Sequence, residues 1–126
     1  MALSNEFQAA DGYVYVHVTG EEDSLDDYQN QAHEIFEHCE KYNCYNVLID
    51  ETEAISRFTV LQEYKMAYDL FEDPKAMVLN RIAWIGKFDR YEIAKVFEGF
   101  ALIHDVQFKA FRKRDAAERW LRGGPA

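Results

Sequence analysis

The residues of this sequence best suited to chemistry follow a short apolar run at 47–49. Two carboxylates, Asp50 and Glu51, and the hydroxyl of Thr52 end that run. Because consecutive strand residues point to opposite faces, Asp50 and Glu51 cannot act together as a simple acid–base pair. We therefore expect these three residues to form the acidic lip of a docking surface rather than a catalytic centre.

A second group of functional side chains precedes the next amphipathic helix. Thr59, with Gln62 three residues later, forms a capping box that begins this helix. Asp50, Glu51, Thr52 and the loop that follows them through Thr59 are therefore expected to lie at the carboxyl end of the strand, where open α/β sheets bind ligands and partners. The predicted partner-binding or switch loop consists of Asp50, Glu51, Thr52, Ser56, Arg57, Phe58 and Thr59.

Known catalytic, cofactor and metal motifs are missing from the sequence. It has no P-loop, dinucleotide fingerprint or nucleophile elbow. His17 is a lone strand histidine, and Cys39 and Cys44 are not at a metal-ligand spacing, so we read the two cysteines as reduced, packed thiols. These observations predict a protein that is not an enzyme and that uses no cofactor and no metal.

The charge of the chain narrows the class of partner. A net charge of −9 argues against nucleic acid and anionic membrane surfaces, which both require a basic face. Residues 1–80 contain 4 basic and 17 acidic side chains, whereas residues 81–126 contain 10 basic and 6 acidic ones. This asymmetry suggests electrostatic pairing with a partner protein or between two copies of the chain, so a homodimer is one expectation.

The length and the hydrophobic content predict one domain over residues 1–126. A chain of 126 residues, 48% of them hydrophobic, is long enough to bury one core. No signal peptide or apolar run of membrane-spanning length is seen, so no membrane insertion and a cytoplasmic location are expected.

Apolar runs and capping residues predict the order β-β-α-β-α-β-α-β-α. Strands are predicted at 3–9, 12–20, 44–52, 81–86 and 106–111, and helix caps at Ser24, Thr59, Asp89 and Asp115. Strands joined through a helix pair in parallel, which leaves only the first strand antiparallel. The predicted fold class is α/β, with a mixed, mostly parallel sheet of about five strands and about four helices.

This order resembles the STAS-like domains, and within them the SpoIIAA-like group of small bacterial proteins. The matching segments are 13–20 (YVYVHVTG), 46–50 (NVLID), 81–86 (RIAWIG) with Asp89 and Arg90, and 111–112 followed by Ala116, Ala117, Trp120 and Leu121. The resemblance implies a non-enzymatic regulatory module that binds a protein partner.

The resemblance also implies two alternative functions. Anti-sigma factor antagonists of this family are switched by phosphorylation of a serine at the start of the helix after the central strand. Ser56 is nearest to that position, although the Asp-Ser-Ser-Gly pattern is missing here. Other branches bind lipids or small apolar ligands. The aromatic residues that would line such a pocket, or else pack in the core, are Phe58, Tyr64, Tyr68, Phe97 and Phe100.

Overall fold

The computed structural model describes residues 3–124, which form one five-stranded sheet with helices on both faces. The ends of the predicted 1–126 domain, residues 1, 2, 125 and 126, lie outside this range. The elements in chain order are β1 (Ser4–Ala10), β2 (Tyr13–Glu22), α1 (Leu25–Tyr42), β3 (Val47–Ser56), α2 (Val60–Glu72), β4 (Arg81–Gly86), α3 (Tyr91–Ile103), β5 (Gln107–Phe111) and α4 (Arg114–Leu121). The predicted order of strands and helices is confirmed.

The sheet is mixed and mostly parallel, as predicted. Its strand order is β1-β2-β3-β4-β5, and only β1 is antiparallel to its neighbour. Asp11 and Gly12 join β1 to β2, and Gly12 adopts a φ of 89°, which a side chain would disfavour. Because β2 to β5 run in parallel, their C-terminal ends share one side of the sheet, which we call the carboxyl edge.

Helices cover both faces of β3, which explains its unbroken apolar run. Val47 packs in a cluster with Ile35 and Cys39 of α1. Leu48, on the opposite face, packs with Trp120 and other side chains of α4. Helices α2 and α3 lie on the same face as α1, where their side chains pack against β4 and β5.

Two of the four predicted helix caps are confirmed. Ser24 accepts a hydrogen bond from the backbone of the third residue of α1, and Thr59 forms the full capping box of α2. The caps predicted at Asp89 and Asp115 are wrong. Asp89 lies in a 3₁₀ turn before α3, and Asp115 lies inside the first turn of α4, so both carboxylates are near the positive helix ends without capping them.

Strand β3 is longer than predicted and contains a β-bulge. The pairing of β2 with β3 passes from His17–Asp50 to Thr19–Glu53, so two residues of β3 lie opposite one residue of β2. The segment from Glu53 to Ser56 is therefore strand, and its prediction as a loop is wrong. The extra residue also reverses the alternation of side chains beyond it.

Candidate functional site

Asp50 and Glu51 lie on opposite faces of the sheet, as their adjacency predicts. Asp50 faces α4 and is only 7% exposed, so it does not contribute to an exposed acidic lip. Its Oδ2 accepts a hydrogen bond from the hydroxyl of Tyr15 at 2.5 Å. Its Oδ1 accepts hydrogen bonds from the backbone N–H of Thr52 at 3.0 Å and from the Thr52 hydroxyl at 2.6 Å. Through these hydrogen bonds Asp50 stabilises the bulge.

These hydrogen bonds decide the ionisation of Asp50. Burial opposes its charged form, but the hydrogen bonds from Thr52 and Tyr15 outweigh that effect and lower the pKa of Asp50 below its usual 3.8. Burial and the hydrogen bond to Asp50 raise the pKa of Tyr15 to about 12. This side of β3 therefore holds a stable carboxylate whose role is structural.

Glu51, on the other face, belongs to a group that we call the acidic cluster: Glu22, Glu51 and Glu63. Together with Arg90 these residues line a small pocket at the carboxyl edge. Glu22 ends β2, Glu51 lies in β3, Glu63 lies in the first turns of α2, and Arg90 precedes α3. Three strand-to-helix connections therefore bring three carboxylates and one guanidinium together.

Hydrogen bonds order part of the acidic cluster. Glu51 accepts from the indole N–H of Trp84 at 2.7 Å. Glu63 accepts through Oε1 from the hydroxyl of Ser56 at 2.8 Å, and the same oxygen is paired with Arg90. The bulge in β3 makes this possible, because without the extra residue the Ser56 side chain would point to the α4 face.

The acidic cluster is short of positive charge. Burial, with Glu51 and Glu63 nearby, raises the pKa of Glu22 from its usual 4.5 to about 8, although Arg90 opposes the shift. Burial also raises the pKa of Glu51, against the effect of its hydrogen bond from Trp84. A positive charge near these groups would favour their ionised forms, so the region favours a positively charged ligand.

The acidic cluster closes one end of a cavity between the sheet and helices α1, α2 and α3. The cavity has a volume of about 110 Å³ and is otherwise mainly apolar. Two buried polar atoms of residues that line it have no hydrogen-bond partner within residues 3–124: the hydroxyl of Tyr28 and Oε2 of Glu63. Buried polar groups are nearly always paired, so these two atoms indicate where a ligand would be held.

The cavity differs from the pocket that the aromatic residues predict. Of the five predicted aromatic residues only Phe97 lines it. Tyr64 and Tyr68 instead make edge-to-face contacts with Phe100, between α2 and α3. Of the two alternatives for these three residues, lining a ligand pocket or packing between helices, the structure shows packing.

The remaining predicted site residues lie at the carboxyl edge. Arg57 is exposed and forms an ion pair with Glu21 at 2.7 Å. Phe58 is half-buried, and its backbone N–H donates to the Ser56 hydroxyl at 3.3 Å. Thr59 is exposed at the start of α2. Thus the seven predicted residues do not form one surface, since β3 divides them between two faces and its end.

Four residues of the site are missed by reasoning from the sequence: Glu22, Tyr28, Glu63 and Arg90. Glu63 is an acidic residue in the first turn of a helix, where acidic residues are common, and Arg90 follows the predicted cap Asp89, so neither residue stands out in the sequence. Tyr28 lies on the apolar stripe of α1, which hides its unpaired hydroxyl. The one available signal is the acidic end of β2 at Glu22, next to a predicted interior strand.

The part of the chain that the structure describes contains neither a metal-binding cluster nor a membrane-spanning helix. No cluster of three or more His, Cys, Asp or Glu side chains in residues 3–124 could hold a metal ion. No helix in the same range combines the length and apolar character needed to cross a bilayer.

The fold is shared with solved structures. An uncharacterised protein of the DUF3478 family from Shewanella loihica PV-4, with a SpoIIAA-like fold, is 16% identical with a TM-score of 0.59, over 95% of this chain and 94% of that chain. An anti-sigma factor antagonist from Mycobacterium paratuberculosis is 14% identical with a TM-score of 0.63, over 96% and 95%. No protein-family model matches the chain, and no curated protein sequence matches it. The chain therefore has a STAS/SpoIIAA-like fold, as its sequence pattern predicts.

Proposed function

We propose that this chain is a non-enzymatic interaction module that binds a protein partner through the carboxyl edge of its sheet. The observation that carries the proposal is the exposure of large apolar side chains at this edge. Leu61, in the first turn of α2, is 77% exposed, and Phe88, after β4, is 79% exposed. Leu25, Ile55 and Val60 are exposed at the same edge. Apolar side chains grouped in this way are typical of an interface.

The charges beside these apolar residues define the chemistry of the partner. Acidic residues lie where β2 passes into α1: Glu21, Asp23, Asp26 and Asp27. Basic residues lie where β5 passes into α4: Arg112, Lys113 and Arg114. We expect an apolar partner surface with basic residues on one side and acidic residues on the other, since such an arrangement sets the orientation of docking. One solved neighbour is an anti-sigma factor antagonist, and that name fits a protein-binding role.

Two matched substitutions test the edge that is used. Leu61 and Leu102 are equally exposed, at 77%, but Leu102 lies near the end of α3 and therefore at the opposite edge of the sheet. A partner recovered from the native host should bind wild-type and Leu102→Asp protein alike. Its affinity for Leu61→Asp protein should fall by about tenfold or more, as for a central apolar contact.

Other results of this experiment would contradict the proposal. Loss of binding only with Leu102→Asp would place the interface at the opposite edge. Equal affinity for wild-type and Leu61→Asp protein would exclude the carboxyl edge. Sedimentation velocity on the same variants distinguishes a second copy of this chain from a different protein, because only self-association depends on the concentration of the chain alone.

As the position of a phosphorylation switch, we propose Thr59 rather than Ser56. The Ser56 hydroxyl already donates to Glu63 within the acidic cluster, where a phosphate of about −2 charge would be repelled. Thr59 is exposed at the start of α2, where backbone N–H groups stabilise negative charge. Thr59→Asp should therefore change the affinity for the partner, and unchanged affinity would exclude the switch at this position.

A further inference from the structure

The cavity between the sheet and helices α1, α2 and α3 has the size of a small ligand. Its volume is about 110 Å³. This volume is smaller than the roughly 150 Å³ of an apolar cavity known to hold benzene, but the cavity is partly open to solvent, so a short alkyl chain or a single ring can enter it without being fully enclosed. The apolar walls come from two helices, three strands and the segment before β4: Ile35, Ile49, Met66, Leu79, Ile82 and Phe108.

The polar end of the cavity carries excess negative charge. With all members ionised, the carboxylates of Glu22, Glu51 and Glu63 outnumber the one guanidinium of Arg90, giving a formal charge of −2. Glu63 is 5% exposed and Glu22 is 8% exposed, so water screens these charges poorly. Burial, and next the charges of Glu51 and Glu63, raise the pKa of Glu22 to about 8, so near neutral pH Glu22 is mostly protonated and the negative charge is smaller than this formal value.

Two unpaired atoms at the cavity point to a ligand independently of this charge. The Tyr28 hydroxyl comes from α1 and Oε2 of Glu63 from α2, and neither has a partner within residues 3–124. An unpaired buried polar atom costs about 1–3 kcal/mol, which a ligand with hydrogen-bond donors would recover. Glu63 Oε2 accepts only, and the Tyr28 hydroxyl both accepts and donates, so the shared requirement is for a donor.

We infer that this cavity binds a small primary amine with an apolar body of about one ring, held by Glu63 and Tyr28. An alkylammonium group has three N–H donors and no acceptor, which matches the two unpaired oxygens and leaves a third donor for Glu22. Its positive charge reduces the excess negative charge of the acidic cluster, and its apolar body replaces empty space between the helices and the sheet. The inference does not depend on the proposed protein-binding function, although the acidic cluster and the docking surface both lie at the carboxyl edge.

The inference is tested by titrating three ring compounds of similar size that differ in charge. Benzylamine should bind with a 1:1 stoichiometry in isothermal titration calorimetry at pH 7.5. Benzyl alcohol keeps the ring and a hydrogen-bond donor but has no charge. It should bind at least about tenfold more weakly than benzylamine, because a charged hydrogen bond is roughly twice as strong as a neutral one. Benzoate should not bind, since its charge repels the carboxylates.

Single substitutions locate the amine. Glu63→Gln should weaken benzylamine binding by about tenfold or more, and Tyr28→Phe should weaken it by several-fold. Glu40→Gln is the matched control, because it removes one glutamate charge from an exposed position of α1 and should leave the affinity unchanged. Tyr28→Phe removes an oxygen that has no partner within residues 3–124, so this variant should fold even if Glu63→Gln, which replaces the ion pair with Arg90 by a neutral hydrogen bond, does not.

The two tryptophans report where the amine binds. Trp84 lines the cavity, whereas Trp120, in α4, packs against the other face of the sheet. Benzylamine should shift the indole N–H resonance of Trp84 and not that of Trp120, which a Trp120→Phe variant assigns. The inference is overturned if benzylamine does not bind, if benzyl alcohol binds equally well, if only Trp120 responds, or if neither Glu63→Gln nor Tyr28→Phe changes the affinity.

Discussion

The two faces of β3 treat adjacent carboxylates in opposite ways. Asp50 faces α4 and receives three hydrogen bonds, from Tyr15 and Thr52, which lower its pKa. Glu51 faces α2 and α3, where its burial, with other carboxylates nearby and only one hydrogen bond from Trp84 to oppose it, raises its pKa. The residue types are nearly the same, and the difference comes from burial, the number of donors and the charge of the neighbours.

This difference separates a structural role from a binding role. The donors that surround Asp50 leave it nothing further to bind, and they hold the bulge that aims Ser56 at Glu63. The acidic cluster around Glu51 has fewer hydrogen-bond donors than its carboxylate oxygens can accept from, so a ligand with hydrogen-bond donors would stabilise it. Among the carboxylates of the site, those with unfavourable surroundings are therefore the better candidates for function.

The strongest test of the contrast replaces Asp50 by its neutral isostere. Asp50→Asn puts an amide N–H₂ where a carboxylate oxygen accepts, so at least one buried donor loses its partner. We expect the free energy of unfolding to fall by about 3 kcal/mol in urea denaturation at pH 7. A loss below about 0.5 kcal/mol would mean that the hydrogen bonds at Asp50 do not hold the bulge.

The pH dependence of stability should show the opposite behaviour of Glu22. Its pKa is higher in the folded state, so the folded protein binds more protons than the unfolded chain, and stability falls as the pH rises from about 4.5 to about 8. Glu22→Gln should remove this slope and gain about 2 kcal/mol at pH 8. Asp50, with its lowered pKa, loses its contribution only as the pH falls below 3.8. If the stability of wild-type and Glu22→Gln protein depends on pH in the same way, the raised pKa of Glu22 is contradicted.

The matched substitution on the other face should have the opposite sign to Asp50→Asn. Glu51→Gln keeps an oxygen that can accept from Trp84 and removes a charge from the acidic cluster. We expect a gain of roughly 1 kcal/mol in the free energy of unfolding at pH 7, measured in the same urea titration. If both isosteric substitutions destabilise the protein equally, the two faces do not differ as described.

The smallest effects come from adding a carboxylate at each hydroxyl near the end of β3. Ser56→Asp places a negative charge beside Glu63 and should cost about 1 kcal/mol. Thr59→Asp places one at the N-cap of α2, where aspartate is as good a cap as threonine, and should change stability by less than about 0.5 kcal/mol. Thermal unfolding of both variants measures this difference. A larger loss for Thr59→Asp would show that charge is tolerated better within the acidic cluster.

Much of the fold could be predicted because its signals are local. Alternating valines in β2, the consecutive apolar residues of β3 and the capping residues Ser24 and Thr59 each report on backbone structure within a few positions. The parallel pairing of β2 to β5 then follows from the intervening helices. The predicted caps at Asp89 and Asp115 failed because an acidic residue is favourable throughout the first turn and not only at the cap.

The candidate site was harder to predict because its parts are distant in the chain. Asp50 and Glu51 were correctly assigned to opposite faces from the strand alternation alone. The residue types around the bulge that follows them do not indicate a bulge. This bulge places Ser56 on the same face as Glu63. The prediction of a loop from Glu53 to Thr59 failed because β3 continues past the bulge to Ser56.

The sequence by itself determined the order of the strands and helices, the faces of Asp50 and Glu51, and the capping of α2 by Thr59. These features depend on hydrogen bonds and periodicity within a few residues. Only the tertiary structure decided that Asp50 is surrounded by donors while Glu22, Glu51 and Glu63 share one guanidinium at the end of a cavity. The ionisation of a carboxyl group depends on every charge and donor within a few ångströms, and those groups come from elements far apart in the chain.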